Sequence, residues 1–212
     1  GKSGPECRAK TALLLTSTTT VGAPVEAWCL QMFGDSPALC ISSNILGAAL
    51  LRPNYLRNYL DAFDPYIIMA SQGNSPEQIS LEIYSLTKDE KSGSVAKDHF
   101  IASTFLDISI PDDLDITDPA MAMGTSPPIF CLCCQNHIVI IIRAIGFFAS
   151  YELINNDLNM SGEKYTYRYV IDAAIRPGTE NNVVEVVALL CEQGNPKDGK
   201  IVTFKLAGSL NE

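Results

Sequence analysis

The sequence predicts an all-β, antiparallel protein, and three observations carry that prediction. Apolar and polar residues alternate over short stretches, as where Ile79, Leu81 and Ile83 interleave with Ser80 and Glu82, the period-two signature of a half-buried strand. Turn-forming clusters such as Gly34-Asp35-Ser36-Pro37 and Gln72-Gly73-Asn74-Ser75-Pro76 divide these stretches at short intervals. Strands nowhere alternate with long helical patterns, which excludes a parallel α/β fold and favours an antiparallel sandwich or jelly roll of about eight or nine strands. At 47% hydrophobic over 212 residues, the chain can bury a substantial core as one large domain or two small ones.

The elements follow in order. Residues 1–24 are rich in Thr, Ser and Gly around TALLLTSTTTVG and read as an extended N-terminal arm. Val25 to Phe33 reads as the first strand. Tyr55, Leu56, Tyr59, Leu60 and Phe63 then fall on one helical stripe, which predicts a short amphipathic helix near residues 53–63. Asp64-Pro65 ends it, because a residue before proline is pushed out of the α region. Tyr66 to Ala70 returns to strand, followed by the alternating stretches at Ile79–Ile83 and Phe100–Ile110. The charged loop Lys88 to Gly93 separates those two, and Pro111 to Pro128 is a loop rich in Asp and Pro. The apolar run Ile129 to Tyr151 is long enough for two strands. Tyr165 to Ile175 and Val183 to Cys191 are read as a strand pair joined through Pro177-Gly178 and Asn181-Asn182, and Ile201 to Ala207 as a closing strand.

Charge narrows the function classes. A net charge of −9 argues against a nucleic-acid or anionic-membrane binder, since both need clustered Lys and Arg. The longest apolar run is broken by Arg143, short of the roughly 20 apolar residues of a spanning helix. Charged residues make up only 18%, below the average near 25%. That suits either a protein packed against neighbours, whose interface cores are poor in Lys, Glu and Asp, or a large, well-buried monomer. Seven cysteines without regular spacing do not form a disulfide framework and read as mostly reduced, apolar packing in an intracellular compartment.

Cys131-Leu132-Cys133-Cys134-Gln135-Asn136-His137 is the most reactive-looking string. Thiolates and imidazole are zinc ligands, and a Cys–His pair can serve as nucleophile and base. A structural zinc site needs a second ligand pair, which the sequence does not supply. On a strand, Cys131 and Cys133 point one way and Cys134 the other, so packing is the expected role. Asp107, Asp112, Asp113, Asp115 and Asp118 form the densest carboxylate group, but they lack the glycine and glutamate of a Ca²⁺ loop and read as a solvated acidic loop. Tyr165, Tyr167 and Tyr169 read as cross-strand packing or an interface rather than a stacking platform, because no basic residue shares their face. Neither these residues nor His99 gives a recognisable catalytic motif. The expectation is no catalytic, cofactor or metal residue, and no enzyme.

With these elements in order, the chain resembles the small jelly-roll capsid subunits of picorna-like viruses, above all the small coat protein of plant comoviruses. LLRPNYLRNYLDAFDPYIIMASQGN is similar to the helix that leads into the third strand of such domains, and YRYVIDAAIRPGTENNVVEVVALL to the last two strands of the roll. Gly1 suits release from a polyprotein by a viral protease. The resemblance implies an eight-stranded antiparallel jelly-roll β-sandwich over residues 25–192, with the arm before it and a C-terminal extension over 193–212. That extension carries the extra strand Ile201 to Ala207, placed either on a neighbour's sheet edge or within the domain. It further implies a structural subunit of an icosahedral virion, assembled in host cytoplasm with copies of itself and companion coat proteins, touching RNA only indirectly and no membrane. The alternatives are a cytosolic β-sandwich binding module, with the Tyr165–Tyr169 face as its contact, and a Cys–His enzyme built on Cys131, Cys133 or Cys134 with His137.

Overall fold

The computed structural model of the chain describes residues 12–17, 25–31, 39–51, 66–88, 95–109, 127–166, 168–180, 183–192 and 195–207. Over these residues run fourteen strands and no helix. The first sheet holds β1 (Ala12–Ser17), β2 (Val25–Gln31) and β3 (Leu39–Ile45). The second holds β4 (Gly47–Leu51), β5 (Tyr66–Gln72), β6 (Gln78–Lys88) and β7 (Val95–Asp107). The third holds β8 (Ile129–Cys134), β9 (His137–Ile142), β10 (Phe147–Ile154) and β11 (Asp157–Tyr165). The fourth holds β12 (Tyr169–Pro177), β13 (Val183–Glu192) and β14 (Asn195–Ala207). All pairings are antiparallel, and every hydrogen-bonded neighbour is also the neighbour in sequence.

Tight turns set this up-and-down order. Asn155 and Asn156 join β10 to β11 with φ of 50° and 65°, the paired left-handed conformation of a type I′ turn, which Asn tolerates better than most residues. Gln135-Asn136 joins β8 to β9 in two residues, and Gly146, at φ 60°, closes the turn before β10. Hairpins this short pair each strand along one edge with the next.

The sheets stack face to face. One face of the third sheet (Ile138, Ile140, Ile142, Phe147, Ala149, Tyr151) shares a core with Leu51, Ile68, Ile79, Leu81 and Ile83 of the second. Its other face (Val139, Ile141, Phe148) packs on Val170, Val186, Ala188 and Phe204 of the fourth. The far side of the second sheet buries Ile67, Met69 and Leu86 with Ile45 of β3. The opening strands of successive sheets lie side by side, β4 against β8 and β8 against β12, while among the closing strands β11 neighbours both β7 and β14. Backbone bonds tie these junctions, from Ile129 N to the Leu46 carbonyl at 3.2 Å and from Val170 N to the Arg143 carbonyl at 2.9 Å. Gly47 permits the first approach, because a Cβ there would lie 2.1 Å from the Ile129 carbonyl oxygen.

Several expectations change. A jelly roll sets strands distant in sequence side by side, whereas all pairings here are between consecutive strands, so the jelly-roll order is not the one found. The helix near residues 53–63 lies outside the described residues. Within the segment read as an arm, Ala12–Ser17 pairs with β2. The run Ile129 to Tyr151 spans β8, β9 and the start of β10 rather than two strands, and Tyr165 to Ile175 is two strands, β11 ending at Tyr165 and β12 beginning at Tyr169. The strand at Ile201 to Ala207 belongs to β14, which pairs with β13 of its own chain and buries Phe204 and Leu206.

Candidate functional site

The Cys/His string is core at Cys131 and Cys133, half-buried at Cys134 and exposed at Gln135 before His137 is buried again. Cys131 and Cys133 lie on the face of β8 toward the second sheet, and strand alternation puts Cys134 on the opposite face, where its cross-strand partner is His137. Burial pushes the Cys131 thiol up to about 12. Cys133 is raised well above the usual thiol range by burial and then by its neighbours Cys131 and Cys134, and burial raises Cys134 as well. His137 is buried, with Nδ1 lacking any hydrogen-bond partner. Burial holds its imidazole below the ordinary range, with Glu152, its register partner on β10, partly opposing that. A nucleophilic pair needs a thiolate beside a base able to take its proton. Here Cys131 and Cys133 pack between the second and third sheets, and burial pushes the thiols and the imidazole each toward the neutral form. Among the described residues, no three His, Cys, Asp or Glu side chains converge as a metal-ligand set.

The other sequence candidates disperse. Asp112, Asp113, Asp115 and Asp118 lie outside the described residues, while Asp107 accepts a hydrogen bond from Gln78 Nε2 at 2.9 Å at the end of β7. Tyr167 is likewise outside them. Tyr165 stacks edge-on against Phe147 with ring centroids 5.5 Å apart, and its hydroxyl donates to the Ser109 carbonyl. Tyr169 is buried on a different strand, so these tyrosines do not form one ladder. His99 is exposed beside Asp98 at 3.3 Å.

The side chain that sequence reading passed over is Arg143, only 2% exposed. Its Nε donates to the Val170 carbonyl at 3.1 Å, Nη1 to Pro127 at 3.2 Å and Nη2 to Ile171 at 3.1 Å. Its guanidinium lies 4.7 Å from the Phe130 ring centroid and 5.2 Å from that of Tyr169. Carbonyls and aromatic faces thus replace water around the cation, and the residue joins the third sheet to the fourth. A lone charge inside the apolar run IIIRAIGFF was the available signal, since a buried charge must find such partners.

The exposed chemistry lies elsewhere, on the outward face of the fourth sheet. Register places Asp172, Leu189 and Ile201 in one row across the strands, Ala174, Val187 and Thr203 in the next, and Arg176, Glu185 and Lys205 in the third. Ile201 is 76% exposed, the most open large hydrophobic among the described residues. Glu185 is held by Arg176, whose Nε and Nη2 reach the same carboxylate oxygen at 2.8 and 2.7 Å, and Lys205 lies 3.7 Å from Glu180.

No protein-family model matches the chain, and no curated protein matches it. Solved structures with remote likeness include a suggested 6-phosphogluconolactonase from Bacteroides fragilis, 8% identical with a TM-score of 0.41 over 97% of this chain and 57% of that one. Another is the β-propeller domain of Nup133 from Vanderwaltozyma polyspora, 13% identical with a TM-score of 0.32 over 92% of this chain and 52% of that one. The chain spans little more than half the length of either. At these values the likenesses fix neither fold nor activity.

Proposed function

We propose that this chain is a non-catalytic interaction module, its consecutive sheets arranged like the blades of a propeller-type array. Each sheet runs up and down in chain order, and the opening strands gather on one side of the stack, as in radially repeated β architectures. The observation that carries the non-catalytic reading is the burial of Cys131 and His137 and the packing of Cys131 and Cys133 in the core, which pushes the thiols up and the imidazole down, each toward its neutral form. The outward face of the fourth sheet, apolar at its middle, is the contact surface this reading favours. A coat-protein role keeps the low charge content as its support but loses the strand order on which the likeness rested.

Native alkylation with a small iodoacetamide reagent, mapped by peptide mass spectrometry, tests the reading. Cys131, Cys133 and Cys134 are expected to stay largely unmodified until the protein is unfolded, since reactivity follows thiolate character and exposure. Rapid, selective labelling of one of them under native conditions would overturn it in favour of a Cys–His enzyme.

A further inference from the structure

β13 carries apolar side chains on both of its faces, yet among the described residues no layer packs over one of them, where Val183, Val187 and Leu189 stay half-buried. Val184, Val186, Ala188 and Leu190 point into the core shared with the third sheet, while Val183, Val187 and Leu189 point outward. Strands that are apolar on both faces are those covered on both faces, as β9 and β10 are within this chain. On the outward face of the fourth sheet the central charge, Glu185, is already paired with Arg176. Covering the face therefore buries no unpaired Glu185 carboxylate.

We propose that this face is the contact through which two copies of the chain pair, sheet on sheet, about a two-fold axis running across the strands at the Ala174–Val187–Thr203 row. Charge placement selects this arrangement. Asp172 and Arg176 lie two residues to either side of Ala174, so a two-fold at that row brings Asp172 of each copy over Arg176 of the other. The same operation puts Val187 on Val187 at the centre. Ile201 comes to lie over the aliphatic stem of the opposing Lys205, a placement in which a lysine covers apolar surface and keeps its ammonium wet. A two-fold running along the strands would instead set Arg176 over Lys205, like charge on like.

With about 3.4 Å per residue and about 4.8 Å between strands, the three-stranded face offers on the order of 1,000 Å² in total across both copies. That is below the roughly 1,200 Å² where stable complexes begin, so the pair is a weak, concentration-dependent dimer. The inference rests on the interaction-module reading and names the partner as a second copy.

The test is sedimentation velocity on wild type and two variants from about 5 to 200 µM, a range in which a weak dimer forms by mass action. Ile201 is exposed in the single chain, so Ile201→Lys and Ile201→Glu should melt alike when dilute. The proposal expects Ile201→Lys, facing Lys205 of the other copy, to weaken dimerisation by at least about tenfold. Ile201→Glu, facing the same lysine, should stay within about threefold of wild type. Bulk repulsion between acidic chains predicts the reverse order, because the glutamate makes each copy more negative. Wild type that stays monomeric throughout, a dimer that neither variant alters, or a tighter dimer with lysine than with glutamate would each overturn the proposal. None of these outcomes touches the non-catalytic reading, which stands or falls on cysteine labelling.

Discussion

The third and fourth sheets share one up-and-down construction, yet among the described residues the third is covered on both faces and the fourth on one. β9 is buried at all six positions, His137 through Ile142, because the second and fourth sheets take its two sides. β12 alternates instead, with Asp172, Ala174 and Arg176 exposed between half-buried neighbours. Burial follows the number of covering layers, and the sequence pattern follows burial. The sharpest way to break this comparison is to remove the same kind of group from each setting. Phe148 of the third sheet packs on Phe204 of the fourth with centroids 4.6 Å apart and is fully buried. Phe148→Ala is expected to cost roughly 3–5 kcal/mol, the range for a large side chain removed from a closed core. Val187→Ala, at a half-buried position on the outward face, should cost about 1 kcal/mol or less, because no described layer closes over it. Equal losses in urea unfolding at low protein concentration would mean that the outward face is covered within the single chain.

Arg143 sharpens the comparison at the seam between the two sheets. Replacing it by Met keeps the stem's packing but leaves the carbonyls of Pro127, Val170 and Ile171 without its donors. An unsatisfied buried acceptor costs about 1–3 kcal/mol, and water reaching the partly buried ones reduces the sum, so the expected loss is roughly 3 kcal/mol. A neutral or stabilising Arg143→Met in thermal and urea unfolding would show that the cation's desolvation outweighs its bonds, as happens in some buried ion pairs.

The same contrast explains what was legible in the sequence. Strands with one solvated face, such as Ile79 to Ile83, announce themselves by alternation. The run from Ile129 to Tyr151 does not, because β9 and β10 have no wet face to imprint polar residues every second position. Its first division was still readable at Gln135-Asn136, a two-residue break that fits a hairpin, and Asn155-Asn156 marks the break between β10 and β11 in the same way. Consecutive hairpins of that kind specify an up-and-down order, whereas the jelly-roll expectation came from likeness of whole stretches and ignored loop length. Thr166 to Arg168 contains neither Gly nor Pro, so the end of β11 at Tyr165 left no local mark, and the three tyrosines read as one ladder. For the candidate site, alternation set Cys131 and Cys133 on one face of β8, and both pack with the core between the second and third sheets. The clustering of Arg143 with Phe130 and Tyr169 could not be read, since it arises from sheets stacking across long sequence separations.

The smallest effect expected is a pH dependence seated on the fully covered side of the comparison. His137 is buried at the start of β9, and its imidazole is depressed by burial, with Glu152 pulling the other way. In the unfolded chain the same group titrates near its ordinary value of about 6.5. As pH falls below that value the unfolded state takes up a proton that the folded state resists, so folding stability declines with acidification. Above it both states are neutral at this site and the contribution is flat. His137→Leu removes the group and should flatten the slope of unfolding free energy between about pH 7 and 5.5. If the slope survives the substitution unchanged, the proton uptake belongs elsewhere. If wild type gains stability on acidification and the variant does not, the imidazolium is held by Glu152 more strongly than burial opposes it, and the third sheet's interior is less dry than its packing implies.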